Sequence, residues 1–492
     1  MELKLIGHDY KYAVEQSLLT LFPGQKPEYP EKEGKGDRII VRCSRGKLWT
    51  SMTTTMYRNG VRSVGQARVK TAELTDEPFV TDRHLQRLVR QSFYKAALSS
   101  GVEAPAWGAL TGVRPTKLMS AIIREGKTDR QAVHAFREKY FTSQARAELC
   151  IPTAHYSMDA EESLPPKGVC LYVGIPFCPT RCAYCSFVSQ SVEKSMKLVD
   201  PFFEALMEEI DATAQQVSEL GLVPISVYMG GGTPTTLSAQ QLDILLTKLE
   251  TVFDLSQVRE NTVEAGRPDT ITMDKLRVLR DHGVSRISVN PQTMTDSVLD
   301  AIGRKHTAQD IIDAFKMVRE VGGMAVNMDL IAGLPTDTPE SFRRTMDIVM
   351  ELDPENITIH TLSLKKGARL MDEGGDIPTP ASVKEMVDYA HACLYQGGFD
   401  PYYLYRQKNM SGGFENTGWT KPGYENLYNI CIMEELCSII AMGAGGSTKM
   451  VAPTGKIERI FAPKYPNEYI TQLPKTCSDK KKIGEFYGTQ AF

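Results

Sequence analysis

An apolar strand pattern runs directly into a loop of three cysteines in the stretch Leu171-Tyr-Val-Gly-Ile-Pro-Phe-Cys178-Pro-Thr-Arg-Cys182-Ala-Tyr-Cys185. The cysteines have the spacing C-x3-C-x2-C, and three thiolates in one loop can bind three irons of a [4Fe–4S] cluster. The fourth iron then has no protein ligand, so it is open to a substrate or a second cofactor. A zinc site or three unrelated thiols is the alternative. The loop follows a strand end, where the active-site loops of (β/α) barrels lie.

The longer string Tyr172-Val-Gly-Ile-Pro-Phe-Cys-Pro-Thr-Arg-Cys-Ala-Tyr-Cys-Ser-Phe187 resembles the radical S-adenosylmethionine (SAM) superfamily. Within it, the string is similar to the branch that holds the oxygen-independent coproporphyrinogen III oxidases and the HemZ-like coproporphyrinogen dehydrogenases. The resemblance covers about residues 165–470, and residues 107–117 extend it to the N-terminal part. It implies a [4Fe–4S] cluster on Cys178, Cys182 and Cys185 whose open iron binds SAM. An electron from the cluster then cleaves SAM to a 5′-deoxyadenosyl radical.

From residue 169 onward, apolar strand runs alternate with amphipathic helix patterns, a rhythm typical of βα units around a parallel sheet. The resemblance implies a partial (β/α)6 barrel for residues 169–380, within the α/β class. Residues 381–492 break the rhythm and are predicted to form a C-terminal subdomain. The predicted barrel strands are 170–175, 224–229, 261–265, 286–290, 325–331 and 356–362.

Residues 1–156 are predicted to form a small α/β domain, with a strand at 3–6, a helix at 10–22 and a β-hairpin within 38–56. Residues 157–168 contain Asp, Glu, Ser and Pro-Pro and are predicted to be a linker.

The net charge of −3 hides an asymmetry along the chain. Residues 1–150 hold 25 Lys and Arg against 16 Asp and Glu, a net of +9, and the remainder carries −12. We interpret the basic part as a solvated face or one that docks on the acidic barrel. Nucleic acid bound through this basic N-terminal domain is the alternative, but no RNA motif accompanies the charge.

Neither a secretory signal nor an apolar run long enough to cross a bilayer is found, so a cytoplasmic protein without a membrane partner is expected. In a reducing compartment the ten cysteines indicate thiols and metal ligands and not disulfides. Cys170 lies upstream in the strand pattern and is not predicted as a cluster ligand. It belongs to seven scattered cysteines, predicted mostly as buried thiols: Cys43, Cys150, Cys170, Cys393, Cys431, Cys437 and Cys477.

Glycines follow the second predicted barrel strand in the string Val227-Tyr-Met-Gly-Gly-Gly-Thr-Pro234. Glycine lets the backbone approach a ligand closely, although a tight turn is the commoner explanation. The resemblance implies that Gly231, Gly232 and Thr233 receive the amino group of SAM. Glu264 ends the next strand, faces the barrel mouth and matches the family acid at the SAM site, with a turn-capping role as the alternative.

Four further residues are assigned to SAM by the resemblance. Gln292 is expected to contact the ribose, and Asp329 is expected to bind its hydroxyl groups. Arg304 is expected to pair with the SAM carboxylate, a task that suits a guanidinium group. Ile331 is expected to pack on adenine. Tyr172 precedes the cluster loop and is predicted to stack over the bound cofactor.

The resemblance also implies a tetrapyrrole substrate, a reducing electron donor and an electron acceptor. A porphyrinogen with four propionates needs cations and an apolar wall, and the tyrosines within 402–405 are candidates for the wall. Surface cations and core aromatics are the equally simple explanation. The candidate cations are Lys365, Lys366, Arg369, Arg406 and Lys408.

Two residues depart from the well-known oxidases: Gly174 stands where a histidine is usual, and Phe187 stands where a further cysteine is usual. The haem-chaperone relatives carry H-N-x-x-Y-W, whereas the nearest string here, Glu425-Asn-Leu-Tyr-Asn429, lacks the His and the Trp. Three hypotheses remain: oxidative decarboxylation of coproporphyrinogen III, haem binding or delivery, and a radical SAM reaction on another tetrapyrrole or RNA.

Overall fold

The computed structural model describes residues 1–30, 36–74, 77–112, 114–185, 190–365, 368–407 and 410–490. They form two compact units, Met1–Ile151 and Pro152–Phe492. Three predicted residues, Phe187, Lys366 and Lys408, lie outside the described residues.

The first unit contains a four-stranded sheet in which β1 runs parallel to β2 and the other neighbours are antiparallel. The strand, helix and hairpin predicted for this part are present, and β4 was not predicted. In sheet order the strands are β1 (Glu2–Ile6), β2 (Arg38–Arg45), β3 (Trp49–Arg58) and β4 (Val61–Lys70). The helices are α1 (Lys11–Leu21), α2 (Pro78–Ser99), α3 (Pro115–Arg124), α4 (Asp129–Tyr140) and α5 (Gln144–Ser163).

One face of this sheet is apolar and packs against α1 and α2. Strand side chains alternate between faces, so Ile39, Val41 and Met52 share the buried face with Leu18 and Phe93 of the two helices. The opposite face is polar and rich in arginine, and the arginines lie over aromatic rings. Arg38 lies 4.0 Å from the ring centroid of Tyr57, and Arg68 lies 4.4 Å from that of Trp49.

The predicted linker at 157–168 is wrong over residues 157–163, because α5 continues to Ser163. The helix ends before Pro165 and Pro166, which lack backbone N–H groups and disfavour helical geometry in the residue before them. The boundary between the two units, after Ile151, therefore lies inside a helix and five residues before the predicted boundary.

The second unit is built on one eleven-stranded sheet. Its six central strands are parallel and are the six predicted barrel strands. They are β5 (Gly168–Ile175), β8 (Val223–Gly231), β9 (Glu260–Glu264), β10 (Arg286–Ser288), β11 (Ala325–Ala332) and β12 (Asn356–Thr361). The short strands β6 (Phe177–Cys178) and β7 (Gln190–Ser191) form a separate pair.

Helices connect the parallel strands, as the predicted rhythm requires. Several begin with a capping box, as at Ser238 and Thr338. In this motif the N-cap side chain accepts from the backbone N–H three residues later, and the side chain of that later residue accepts from the N-cap backbone N–H. The connecting helices are α6 (Val192–Ser195), α7 (Val199–Glu219), α8 (Ala239–Val252), α9 (Met273–Asp281), α10 (Asp296–Ala301), α11 (Ala308–Val321) and α12 (Pro339–Leu352). Two further helices, α13 (Arg369–Glu373) and α14 (Pro380–Gln396), follow β12.

The segment 381–492 is not a separate unit, because main-chain pairing joins its strands to both edges of the parallel sheet. β14 pairs antiparallel with β12 on one side, and β15 pairs parallel with β5 on the other. The strands are β13 (Asp400–Tyr405), β14 (Asn416–Thr420), β15 (Ser438–Gly443), β16 (Ser447–Val451) and β17 (Ile457–Phe461). The helices are α15 (Leu427–Glu434), α16 (Pro466–Thr471), α17 (Leu473–Asp479) and α18 (Lys481–Gly488).

Within the part of the chain that the structure describes, no helix combines the length and apolar character needed to cross a bilayer.

Contact between β4 and α2 depends on the absence of a side chain at Gly65. A Cβ atom there would lie 2.1 Å from the Ser92 carbonyl oxygen and 2.4 Å from the Ala96 nitrogen. We expect Gly65→Ala to destabilise the first unit by about 1–3 kcal/mol through overpacking. Hydrogen exchange of the β4 and α2 peptides measures this loss. Gly36→Ala is the matched control, since the added carbon there would lie more than 4 Å from every heavy atom of the described residues other than its chain neighbours. Equal exchange in the two variants would contradict the expectation.

Candidate functional site

A cavity of about 290 Å³ opens where the parallel strands of the second unit end. Every predicted site residue except Tyr172 lines it, so residues far apart in the sequence meet in one place. These are Cys178, Cys182, Cys185, Gly231, Gly232, Thr233, Glu264, Gln292, Arg304, Asp329 and Ile331.

The cysteine loop rests on the glycine turn that follows β8. The backbone N–H of Gly232 donates to the Ile175 carbonyl (2.7 Å), and that of Thr233 donates to the Phe177 carbonyl (2.7 Å). A Cβ atom on Gly232 would lie 2.5 Å from the Phe177 oxygen, and Gly231 has a φ of +103°. Glycine is therefore required here to seat the cysteine loop, whatever ligand the turn also binds.

The three loop cysteines line one cavity, and their sulfur atoms do not converge as the ligands of a single ion would. Among the described residues, their sulfur atoms do not form a group in which all lie within 4.8 Å of one another. Ligands of one metal ion must converge more closely than that, whereas the ligands of a [4Fe–4S] cluster each bind a different iron. The donor set therefore fits a cluster.

Two buried arginines make the surroundings of Cys182 electropositive. Arg267 donates from Nη1 to the Thr180 carbonyl (3.3 Å) and from Nη2 to the Thr180 hydroxyl (3.0 Å), and its Nη1 lies 3.9 Å from the Cys182 sulfur. Burial opposes ionisation of the Cys182 thiol, but the charges of Arg304 and Arg267 outweigh it and lower the pKa of Cys182. This environment favours the thiolate, the form that binds iron.

Arg304 is buried and only partly satisfied by protein partners. Its Nη1 donates to the Asn290 carbonyl (2.6 Å) and its Nη2 to the Tyr184 hydroxyl (3.4 Å). Its Nε has no hydrogen-bond partner among the described residues. A buried guanidinium with an unused donor is suited to an anionic group such as a carboxylate.

Two carboxylates in the cavity have different ionisation properties. Burial raises the pKa of Glu264 to about 7, although the Tyr228 hydroxyl donates to this carboxylate. Burial also acts on Asp329, but the His360 imidazole, whose Nε2 lies 3.8 Å from Oδ2, and the Asn327 amide outweigh it and lower the pKa of Asp329. The Asn327 amide donates to Asp329 at 2.9 Å. Asp329 is therefore ionised near neutral pH, whereas Glu264 is close to half ionised.

Tyr172 does not line the cavity, in contrast to the stacking prediction. Its half-buried ring stacks with Tyr228 and Tyr428, at centroid distances of 6.3 Å and 6.2 Å. β5 alternates its side chains, and this residue faces the tyrosines of β8 and α15. The position of Gly174 is restricted by the chain segment that follows β15. A Cβ atom on Gly174 would lie 3.1 Å from the Ala444 carbonyl oxygen, so there is little room for a larger side chain here.

The candidate substrate residues are only partly brought together. Lys365 and Tyr405 line the cavity, whereas the buried rings of Tyr402 and Tyr403 belong to the core. Arg406 is not among the lining residues, and its Nη2 donates to the Gly413 carbonyl (2.8 Å). Arg369 is likewise not among them, and lies on α13.

The chaperone-like string at 425–429 has a structural role. Asn426 caps α15 by accepting from the Asn429 backbone N–H (2.8 Å), and its amide donates to the Thr262 hydroxyl (3.2 Å). Tyr428 is 4% exposed and stacks on Tyr228 with a centroid distance of 4.2 Å.

Several lining residues were missed by the sequence reasoning. Asn290 and His360 lie at the ends of strands that were correctly predicted, so their position was a usable signal. Arg267 lies three residues after Glu264, the last residue of β9, and no role was predicted for it. Asn416 and Gln407 come from the segment around β13 and β14, whose antiparallel pairing with β12 had no signal in the sequence.

Comparison with known proteins agrees with this geometry. The radical SAM superfamily model matches residues 172–349. The chain is 37% identical to the oxygen-independent coproporphyrinogen-III oxidase-like protein HemZ of Bacillus subtilis, over 77% of each chain. It is 31% identical to the heme chaperone HemW of Lactococcus lactis, over 56% of this chain and 68% of that protein.

Among solved structures, coproporphyrinogen III oxidase (HemN) from Escherichia coli matches with a TM-score of 0.51 and 24% identity. The match covers 66% of this chain and 73% of that one, and it supports the fold. A radical SAM domain implies a [4Fe–4S] cluster and SAM as cofactors, as predicted. From the identity and coverage shared with HemZ, the chain belongs to the HemZ-like family of oxygen-independent coproporphyrinogen-III oxidase-like proteins within the radical SAM superfamily.

Proposed function

We propose that this protein is a radical SAM enzyme that converts two propionates of coproporphyrinogen III to vinyl groups without oxygen, giving protoporphyrinogen IX. The observation that carries the proposal is the single cavity in which the loop cysteines, a buried arginine, two carboxylates and Lys365 meet. Kinship with HemZ and with coproporphyrinogen III oxidases supports the choice of substrate.

The proposed roles of the cavity residues follow from their charge and position. Cys178, Cys182 and Cys185 would hold the cluster, and Arg304 would bind the SAM carboxylate. Glu264 would receive the SAM ammonium group, and Asp329 would bind ribose hydroxyls. When bound, the cluster and SAM supply the electron and the hydrogen-abstracting radical for the reaction.

The substrate step balances as follows for each propionate. The β-carbon loses one hydrogen atom, which SAM-derived 5′-deoxyadenosine carries away. The carboxylate leaves as CO₂ and its bond pair stays on the substrate. One of the three available electrons passes to a one-electron acceptor, and the remaining two form the vinyl π bond. Lys365 would bind a propionate, since an ammonium group pairs with a carboxylate.

Haem binding or delivery is a second candidate, which the similarity to the heme chaperone HemW favours. The buried, structural use of Asn426 and Tyr428 weighs against haem ligation by the string 425–429. A radical SAM reaction on another tetrapyrrole, or on RNA bound by the basic first unit, is a further outcome that the experiments below distinguish.

Cys182→Ala should abolish the brown chromophore of anaerobically purified protein, because a cluster ligand is lost. Iron analysis and the visible absorption spectrum measure the cluster. Cys393→Ala removes a half-buried thiol from α14 and is the control that should keep about four irons per chain. Full iron content in Cys182→Ala would contradict the assignment of the loop.

SAM affinity should depend on pH through Glu264. Its pKa of about 7 means that protonation below pH 7 removes the negative charge that would receive the SAM ammonium group. Between pH 7.0 and 5.5 the ionised fraction falls, and we expect roughly tenfold weaker binding. Anaerobic calorimetry measures the affinity. Glu264→Gln should bind SAM more weakly at pH 7 and lose most of this pH dependence, so an unchanged pH profile in that variant would remove Glu264 from the SAM site.

Lys365→Met should raise KM for coproporphyrinogen III about tenfold to a hundredfold, the cost of losing a charge-assisted contact. Lys384→Met, an exposed lysine on α14, is the matched control and should leave KM unchanged. The assay combines the reconstituted enzyme with coproporphyrinogen III, SAM, a reductant and a one-electron acceptor. Mass spectrometry should detect a product lighter by two formic acid equivalents, with one 5′-deoxyadenosine for each vinyl group.

The same assay separates the function classes. Tight haem binding without porphyrinogen-dependent SAM cleavage would favour the delivery function. Cleavage stimulated by RNA and weakened by salt would favour an RNA substrate. If SAM cleavage proceeds while porphyrinogen is recovered unchanged, the proposed decarboxylation is wrong.

A further inference from the structure

A second group of cysteines lies away from the cavity, in the interior of the same unit. Cys170 belongs to β5, Cys431 belongs to α15, and Cys437 directly precedes β15. Their three sulfur atoms all lie within 4.8 Å of one another, and the sulfurs of Cys170 and Cys437 are 3.7 Å apart. Three thiols from separate elements therefore converge on one point. No other set of three or more metal-binding side chains is this close within the described residues.

These thiols are separate from the cluster loop. Cys170 lies near the start of β5, five residues before Ile175, which corresponds to roughly 16 Å along an extended strand. The cluster loop follows the other end of the same strand. None of the three cysteines lines the cavity.

The surroundings of the three thiols are apolar. Cys170 and Cys431 are fully buried and Cys437 is 6% exposed. The residues packed around them are isoleucines, leucines, a valine and tyrosines, among them Ile225, Ile439, Leu427 and Tyr428. Among the His, Cys, Asp and Glu side chains that the structure describes, only cysteine sulfurs converge at this point. Such a set selects soft, thiophilic ions over hard ions that prefer oxygen.

We propose that Cys170, Cys431 and Cys437 bind one thiophilic d10 metal ion, Zn²⁺ or Cu⁺, in a buried three-thiolate site. Sulfurs bound at about 2.3 Å to a common ion lie about 3.8–4.0 Å apart in tetrahedral or trigonal geometry. The sulfurs of Cys170 and Cys437 already have this separation, so a small movement of Cys431 completes the site.

Metal binding would displace the protons of the three thiols, since thiolates are the form that binds a metal ion. The Lys449 ammonium acts on Cys437 and would offset part of the negative charge of the three thiolates. Lys449 is held in place because its Nζ donates to the Ile432 carbonyl (2.8 Å) near the end of α15.

The ion would join three elements at the edge of the parallel strands. α15 and the start of β15 would be tied to β5, whose far end carries the cluster loop. The predicted role is structural, since the three cysteines are buried and none of them lines the cavity.

The test uses the full-length protein, produced with added zinc or copper, purified anaerobically and dialysed against a weak chelator. Elemental analysis should find one zinc or copper per chain in addition to the cluster iron. X-ray absorption at the edge of that metal should show three sulfur neighbours at about 2.3 Å. This measurement needs no variant, so it decides the question even where a substitution impairs folding.

Cys431→Ala and Cys437→Ala should lose the zinc or copper and keep the cluster iron, which also reports that they fold. Cys393→Ala should keep both metals. The proposal is overturned if wild-type protein retains neither zinc nor copper, if the metal has no sulfur neighbours, or if both variants retain it. A Cys170–Cys437 disulfide in the anaerobic, metal-treated protein would overturn it equally.

Discussion

Parallel main-chain pairing aligns Ile175, the last residue of β5, with Gly231, the last residue of β8. This register brings the cysteine loop and the glycine turn to the same edge of the sheet, where the N–H groups of Gly232 and Thr233 hold the loop. A slip of one residue would turn every side chain of β5 to the other face. The cavity then could not form, because its first wall is the loop and its second wall is the glycine turn.

The ionisable groups of this cavity are held in different protonation states by their neighbours. Arg267 and Arg304 are buried beside the sulfur of Cys182 and favour its thiolate. Asp329 keeps its charge because His360 and Asn327 compensate for its burial, whereas the less compensated Glu264 does not fully ionise at neutral pH. Buried charges are costly unless they are paired, so this arrangement indicates a binding site for a ligand that carries both signs of charge.

The sequence predicted the parallel strands well. Each is a short apolar run, and the segments between these runs have the spacing of apolar residues that is typical of amphipathic helices. The family resemblance assigned many of the cavity residues to SAM, and their positions at successive strand ends place them at one edge of the parallel sheet. The sequence could not reveal that β14 pairs with β12 at one edge of the parallel strands and that β15 pairs with β5 at the other. Pairing between distant segments leaves no local pattern in the sequence. For the same reason the sequence left open whether Tyr402 and Tyr403 form a cavity wall or part of the core, and strand pairing buries them in the core. The convergence of Cys170, Cys431 and Cys437 is equally non-local.

Residues 157–163 were predicted to be a linker but are helical. Their polar composition is typical of linkers and equally suits an exposed helix, so composition alone could not separate the two.

The two sheets differ in which segments of the chain supply their strands. No strand of the four-stranded sheet enters the eleven-stranded one, so the first sheet is completed entirely by residues 2–70. The larger sheet instead needs its last strands as much as its first, because β15 is the hydrogen-bonded neighbour of β5. The first sheet, by contrast, needs no hydrogen-bonding partner from residues 152–492. A truncation before β15 would instead expose an unpaired edge on β5, the strand that leads into the cysteine loop, and unpaired edges promote aggregation.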